Sequence, residues 1–254
     1  MRYGFIRYAV AIFLFLPLAC PAAFPEEVYE TGYVCRLPEG RERWEAVTEI
    51  RKKEGHTYVM TERGAGEYHG FEGAVSWVSE LEFEMNEARV KPLKLKKQTR
   101  NAEGDIVEID TQRFNYRDNT VTCTREDVPE KKTIRKKFKF QKNIVNRMLL
   151  GLYIRNFIKS GERQKEFRMV SSEPRAYNVN IRKVEEEEIE VNGRKRAAYR
   201  ICLDPDLGLM SFVKVFLPKA YVWHSAEPDH EWLRYKGLES GVSSPQVVIT
   251  TLEK

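Results

Sequence analysis

A period-two alternation of apolar and polar residues dominates the chain. Leu81, Phe83 and Met85 interleave with Glu80, Glu82 and Glu84, and Tyr177, Val179 and Ile181 interleave with Asn178, Asn180 and Arg182. Successive side chains of a strand point to opposite faces, so this rhythm predicts antiparallel strands with one dry and one wet face. The same rhythm, or strong β composition, runs through 28 to 37, 45 to 53, 56 to 63, 90 to 98, 105 to 116, 119 to 125 and 132 to 140. It returns at 186 to 191, 195 to 203, 210 to 217, 219 to 224, 231 to 236 and 246 to 252. Asn192-Gly193, between Ile189/Val191 and the alternating Ala197, Tyr199, Ile201 and Leu203, predicts a two-residue hairpin. Glu54-Gly55, Glu103-Gly104 and Asp118-Asn119 are weaker turn signals, and Gly64-Ala65-Gly66 with Gly70 and Gly73 predicts a mobile loop near 64 to 74.

One segment, 143 to 159, predicts a helix, with Asn143 as its N-cap and Gly161 as its stop. Its apolar residues surround most of the circumference, so the helix is expected to be covered on more than one side. Short connections between neighbouring strands predict a meander. The expected fold class is therefore mainly β: a curved antiparallel meander sheet, a half-barrel in form, with one principal helix on its concave side. No repeat or low-complexity linker divides the chain, so 23 to 254 reads as one β-rich domain, with a subdivision near 143 left open.

The amino terminus changes the picture. Arg2 and Arg7 precede an unbroken apolar run from Ala9 to Leu16, and Pro17 and the small residues Ala19, Cys20, Ala22 and Ala23 follow. This layout predicts a secretory signal peptide over 1 to 22 and a periplasmic protein; lipid anchoring at Cys20 is the other reading. The run is too short to span a bilayer, which takes about 20 apolar residues. With 42% hydrophobic and 32% charged residues the chain is neither a multi-span membrane protein nor a disordered one. A net charge of +5, lower still without Arg2 and Arg7, together with the export leader, argues against nucleic acid. Cys35, Cys123 and Cys202 would remain after cleavage; without a C-x-x-C they read as small buried side chains on strands, and no pairing follows from their spacing. No cofactor-binding motif is present.

The densest polar cluster is Trp223-His224-Ser225-Ala226-Glu227-Pro228-Asp229-His230-Glu231-Trp232. A metal-dependent hydrolase could use His224, Asp229 and His230 as ligands and Glu227 as base. The two histidines straddle a Pro-Asp turn, however, so the segment reads as a hairpin loop with hydrated acids. Ser225 lacks a G-x-S-x-G setting, and His56 and His69 read as surface residues. Two acid-free stretches, 89 to 100 and 131 to 142, interleave Lys and Arg with apolar residues, as strands with a solvated cationic face do. Such a face would meet anionic lipid or an acidic envelope partner, with peripheral membrane contact.

From about Asp105 onward the order of features resembles the bacterial exported proteins of the domain of unknown function 3108 family. The matching pieces are Phe114-Asn115-Tyr116 before Asp118-Asn119 and Thr120-Val121, Leu152-Tyr153-Ile154-Arg155 before Gly161, Val191-Asn192-Gly193, the strand ending at Tyr221-Val222-Trp223 before Ser225, and Leu233-Arg234-Tyr235. The resemblance implies an envelope protein whose curved sheet is similar to the open half-barrel of the lipoprotein carriers, with no established activity and no catalytic residues.

Many long strands generate more apolar face than one helix covers, so the leading expectation is a non-catalytic envelope protein binding a lipid or lipoprotein in a concave groove. The expected lining is Phe83, Met85, Met148, Leu152, Phe157, Tyr199, Val215 and Trp223, with Lys94, Lys96, Lys136 and Arg155 near an anionic group. The alternative is a structural or interaction protein that docks an envelope partner through its basic strands.

Overall fold

In the computed structural model, residues 28–86, 89–140, 143–171, 174–206, 218–241 and 243–252 are described. The leader with Cys20, and the strand expected over 210 to 217 with Val215, lie outside them. Half of the sheet is the meander β1 (Val28–Arg36), β2 (Glu42–Glu54), β3 (Thr57–Glu67), β4 (Ala74–Met85), β5 (Val90–Arg100), β6 (Ile106–Asn115), β7 (Thr120–Asp127) and β8 (Lys132–Lys139). A short β9 (Ile144–Asn146), a 3-10 turn (Arg147–Leu149) and helix α1 (Leu150–Lys159) follow. The second meander is β10 (Gln164–Val170), β11 (Ala176–Val191), β12 (Arg194–Pro205), β13 (Ala220–Ser225), β14 (Trp232–Leu238) and β15 (Gln246–Leu252). Antiparallel pairing of β1 with β15 joins the two into one sheet, ordered β8-β7-β6-β5-β4-β3-β2-β1-β15-β14-β13-β12-β11-β10-β9.

The sheet rolls up around the helix. Ile154 and Phe157 of α1 are buried in a core that includes Met60, Leu81, Phe83 and Leu95 of β3 to β5 and also Val179, Ile181, Ile201 and Val222 of β11 to β13. Those groups are far apart in strand order, so only a strongly curved sheet brings both to one helix. At the far end Ile144 and Val170 pack on Phe114, Val121 and Cys123, which tucks β9 and β10 against the inner face of β6 and β7. No ladder closes the roll there. Instead the buried Gln112 of β6 donates to Ser171 O at 2.7 Å and accepts from Asn146 Nδ2 at 2.8 Å.

The helix begins later than expected. Ile144 and Val145, β-branched and buried, pair with β10 in parallel, and it is Asn146 whose side chain accepts from Met148 N at 2.8 Å. Gly161 ends the helix as expected, at φ +70. The strand β10 went unanticipated because Gln164, Lys165, Glu166 and Arg168 mask its few apolar positions. The loop expected over 64 to 74 is another correction, since β3 runs on to Glu67. Gly64 is there because the Trp77 indole lies on its backbone; a Cβ would stand 2.2 Å from Cζ2 of that ring.

A bulge in β11 moves its apolar residues from one face to the other. Ile181 lies opposite Leu203 and faces inward, but the register shifts between Lys183 and Glu185, and Glu185 lies opposite Arg200. The later Ile189 and Val191 therefore pack on the outer face with Ala198, Trp223 and Leu233. The Asn192-Gly193 turn has both residues left-handed, as a type I′ hairpin needs, and Asn192 Nδ2 donates to Thr251 O at 3.0 Å. Hairpin β11–β12 thus folds back over the outside of β13 to β15.

Two substitutions test this account. Gln112→Leu removes the hydrogen bonds that Gln112 makes to Ser171 O and Asn146 Nδ2, and is expected to lower stability by about 1–3 kcal/mol, read from the urea midpoint. Gly64→Ala forces the Trp77 ring off the strand, with a similar loss of about 1–3 kcal/mol and an altered tryptophan emission.

Candidate functional site

Between α1 and the inner face of the sheet lies an open cleft of about 1690 Å³, larger than the roughly 300–1,000 Å³ of most small-molecule sites. Its most distinctive wall is aromatic: Tyr33, Trp44, Tyr68, Trp77, Trp232 and Tyr235. Trp44 and Trp77 meet edge to face at 5.6 Å, and Tyr33 and Trp232 do so at 5.2 Å. Two indole N–H groups on this wall are held by carboxylates, Trp77 Nε1 donating to Glu62 at 2.8 Å and Trp44 Nε1 to Glu239 at 2.8 Å. Glu239 is 1% exposed and also accepts from Arg43 and the His69 backbone, so it ties β2 and the β3–β4 loop to the β14–β15 loop. Met60, Met85, Met148, Leu150, Leu152 and Met169 give the opposite side an adaptable apolar lining.

Cations punctuate this surface. Lys97, 9% exposed, holds its ammonium 4.7 Å from the Tyr68 ring and 5.6 Å from Trp77. Arg147 donates to Tyr68 Oη at 2.9 Å, and Arg155 reaches the cleft from α1. Burial pushes the hydroxyls of Tyr33 and Tyr235 up to about 12, which keeps the wall neutral. Cys35, Cys123 and Cys202 are free thiols and buried; desolvation raises the first two to about 12, so they pack rather than react.

Of the residues expected to line a groove, Met85, Met148, Leu152 and Arg155 line this cleft, and Lys136 stands exposed at its rim. Phe83 and Phe157 are sealed core, at 0% and 1% exposure. Tyr199 does not line the cleft: its ring lies 3.4 Å beneath the Lys183 ammonium and 5.9 Å from His230. Trp223 is on the outer face, donating to Glu187 at 2.6 Å. Lys94 and Lys96 are exposed on the outside of β5, opposite Glu82 and Glu80 in register. The aromatic wall was missed because alternation says which residues share a face, not which face turns inward. The available signal was the aromatic content itself, on strand positions that alternate with polar residues, as at Trp44.

The histidine loop does not assemble a metal site. His224 Nδ1 lies 2.8 Å from His230 O, His230 Nδ1 lies 3.0 Å from Ser225 O, and Glu227 and Glu231 pair with Arg196 at 3.1 and 3.2 Å. Asp229 lies at the cleft margin, and among the described residues no group of three His, Cys, Asp or Glu side chains has metal-ligand geometry. His224 is 1% exposed, and desolvation pulls its imidazole down to about 4, with the Arg155 charge a lesser contributor.

No protein-family model matches the chain, and no curated protein resembles it in sequence. Among solved structures it is similar to a β-barrel-like protein of the domain of unknown function 1849 from Brucella abortus, at 6% identity and a TM-score of 0.49, over 89% of this chain and 95% of that one. It is also similar to the hypothetical lipoprotein YmcC from Escherichia coli K12, at 10% identity and a TM-score of 0.33, over 89% of this chain and 87% of that one. The resemblance to the domain of unknown function 3108 proteins rests on the sequence segments quoted above.

The neutral imidazole has a pH signature. The unfolded ring titrates near 6.5 and the folded one near about 4, so the unfolded chain binds more protons in between, and stability is lost as pH falls through that window. Glu108 acts in the opposite sense: burial, then Asp110, raise its carboxyl, so its contribution is lost as pH rises. Comparing wild type with His224→Gln removes Glu108 from the account. The wild-type advantage in unfolding free energy is expected to shrink by about 2–3 kcal/mol between about pH 7.5 and about pH 4.5. An advantage that stays constant would mean that the ring titrates as it does in water.

Proposed function

We propose that this chain is a non-catalytic protein of the cell envelope that holds a lipid, or another molecule with a long apolar portion, in the cleft between α1 and the aromatic wall. The observation that carries this reading is that, among the described residues, the roll leaves an apolar interior open. The helix covers β3 to β5 and β10 to β13, whereas the half-buried Trp232 ring and the edges of the nearly buried Trp44 and Trp77 line the cleft. An apolar ligand gains by covering such a surface, at roughly 25 cal/mol per Å² removed from water. Export, read from residues 1 to 22, brings the protein to a compartment bounded by lipid. A specific observation supports a second reading: β8 is an edge strand, exposed on both faces, that carries Lys132, Arg135, Lys136, Lys137 and Lys139. Such an edge would dock an acidic envelope partner, and the complex would come apart as salt rises.

The four tryptophans divide so as to test the first reading, because Trp44, Trp77 and Trp232 line the cleft and Trp223 lies outside it. A fatty acid brominated along its chain is expected to quench most of the emission of the wild type and of Trp223→Phe alike. Leu152→Trp, which fills the cleft from α1, is expected to weaken apparent binding by about tenfold. Quenching confined to Trp223, or none, defeats the reading.

A further inference from the structure

Two buried polar atoms at one end of the cleft have no hydrogen-bond partner: Nε of Arg155 and Nε2 of His224. Both residues line the cleft. They come from different elements that the fold brings together. A Cβ on Gly151 would stand 3.4 Å from Trp232 Cδ1, so the first turn of α1 rests on β14; Trp232 is in turn the ladder partner of His224. Arg155 follows Gly151 by one helical turn and shares its face. The Arg155 charge is close enough to His224 to help hold that ring neutral.

The two atoms have opposite needs. Arg155 is a permanent cation and forms no ion pair among the described residues. His224 Nδ1 faces the His230 carbonyl at 2.8 Å; since a carbonyl only accepts, the ring proton sits on Nδ1 and Nε2 presents a bare lone pair. An uncharged hydrocarbon satisfies neither atom, and covering both unpaired beneath an apolar chain is unfavourable. An oxyanion satisfies the arginine, and a hydroxyl beside it donates to the imidazole.

On the reading that the cleft takes an apolar chain, we propose that Arg155 and His224 form a head-group site for an amphiphile whose head carries a singly anionic oxygen group with a neighbouring hydroxyl. Arginine supplies charge-assisted hydrogen bonds to the anion, and His224 accepts from the hydroxyl. Preference between lipids is then decided at this end, while the aromatic wall holds chains of any head group.

The test uses short-chain brominated lipids, presented as monomers, and reads tryptophan quenching. Phosphatidylglycerol carries both features, phosphatidylmethanol the charge alone, and phosphatidylcholine neither a net charge nor a hydroxyl. The wild type is expected to prefer phosphatidylglycerol over phosphatidylcholine by about tenfold or more, with phosphatidylmethanol between them. Arg155→Gln is expected to collapse the ratio of the two, and His224→Phe to bring phosphatidylglycerol down to phosphatidylmethanol. Equal affinity for all three lipids overturns the head-group site and leaves the cleft reading standing; quenching by none overturns both. Displacement of phosphatidylglycerol by an equal concentration of glycerol phosphate would assign the site to a soluble ester and overturn the amphiphile. Arg155→Gln is also expected to melt at or above the wild-type temperature, because it removes a half-buried side chain whose Nε has no partner, and a lower value would make Arg155 a structural residue instead.

Discussion

The buried amide of Gln112 holds the two ends of the roll together. Ladder hydrogen bonds end at β9 on one side and at β8 on the other, and the backbone groups where the ends overlap need partners. One side chain on β6 supplies a donor to Ser171 O and an acceptor to Asn146, on either side of α1. Asn146 in turn caps the turn that launches the helix. Closure, helix placement and the position of the cleft therefore depend on one another, and because side chains close the roll, its circumference is not set by a ladder of fixed pitch.

The outer face is dry where the inner face is left open. At the β11 bulge the register shifts, and Ile189, Val191, Trp223 and Leu233 are sealed on the outside beneath the folded-back hairpin. Inside, Arg155 and His224 keep unmatched polar atoms where neighbouring side chains could have satisfied or replaced them. Buried polar groups in native proteins are almost all satisfied, and of the exceptions here Arg155, Arg168 and His224 line the cleft, whereas Thr99, Tyr153, Arg200 and Arg234 lie elsewhere.

Most strands and the stop of the helix were legible from alternation and turn chemistry alone, because period two and left-handed turn residues are local properties. The start of the helix was not. Ile144 and Val145 fit either element, and only β10, itself disguised by charges, makes them a strand. Among the groove residues, Met85, Met148, Leu152 and Arg155 were accessible to sequence reasoning, whereas Trp223 was assigned to the wrong face because Val222 and Trp223 are equally good apolar residues on adjacent positions.

By itself the sequence determined that the chain is a curved antiparallel sheet with one helix, since hydrophobic rhythm and turns act over a few residues. Only the tertiary structure decided how far the sheet rolls, which face of each strand becomes the interior, and that Arg155 and His224 line one cleft. Those outcomes depend on contacts between strands distant in order, and on a single extra residue in β11 that reverses inside and outside.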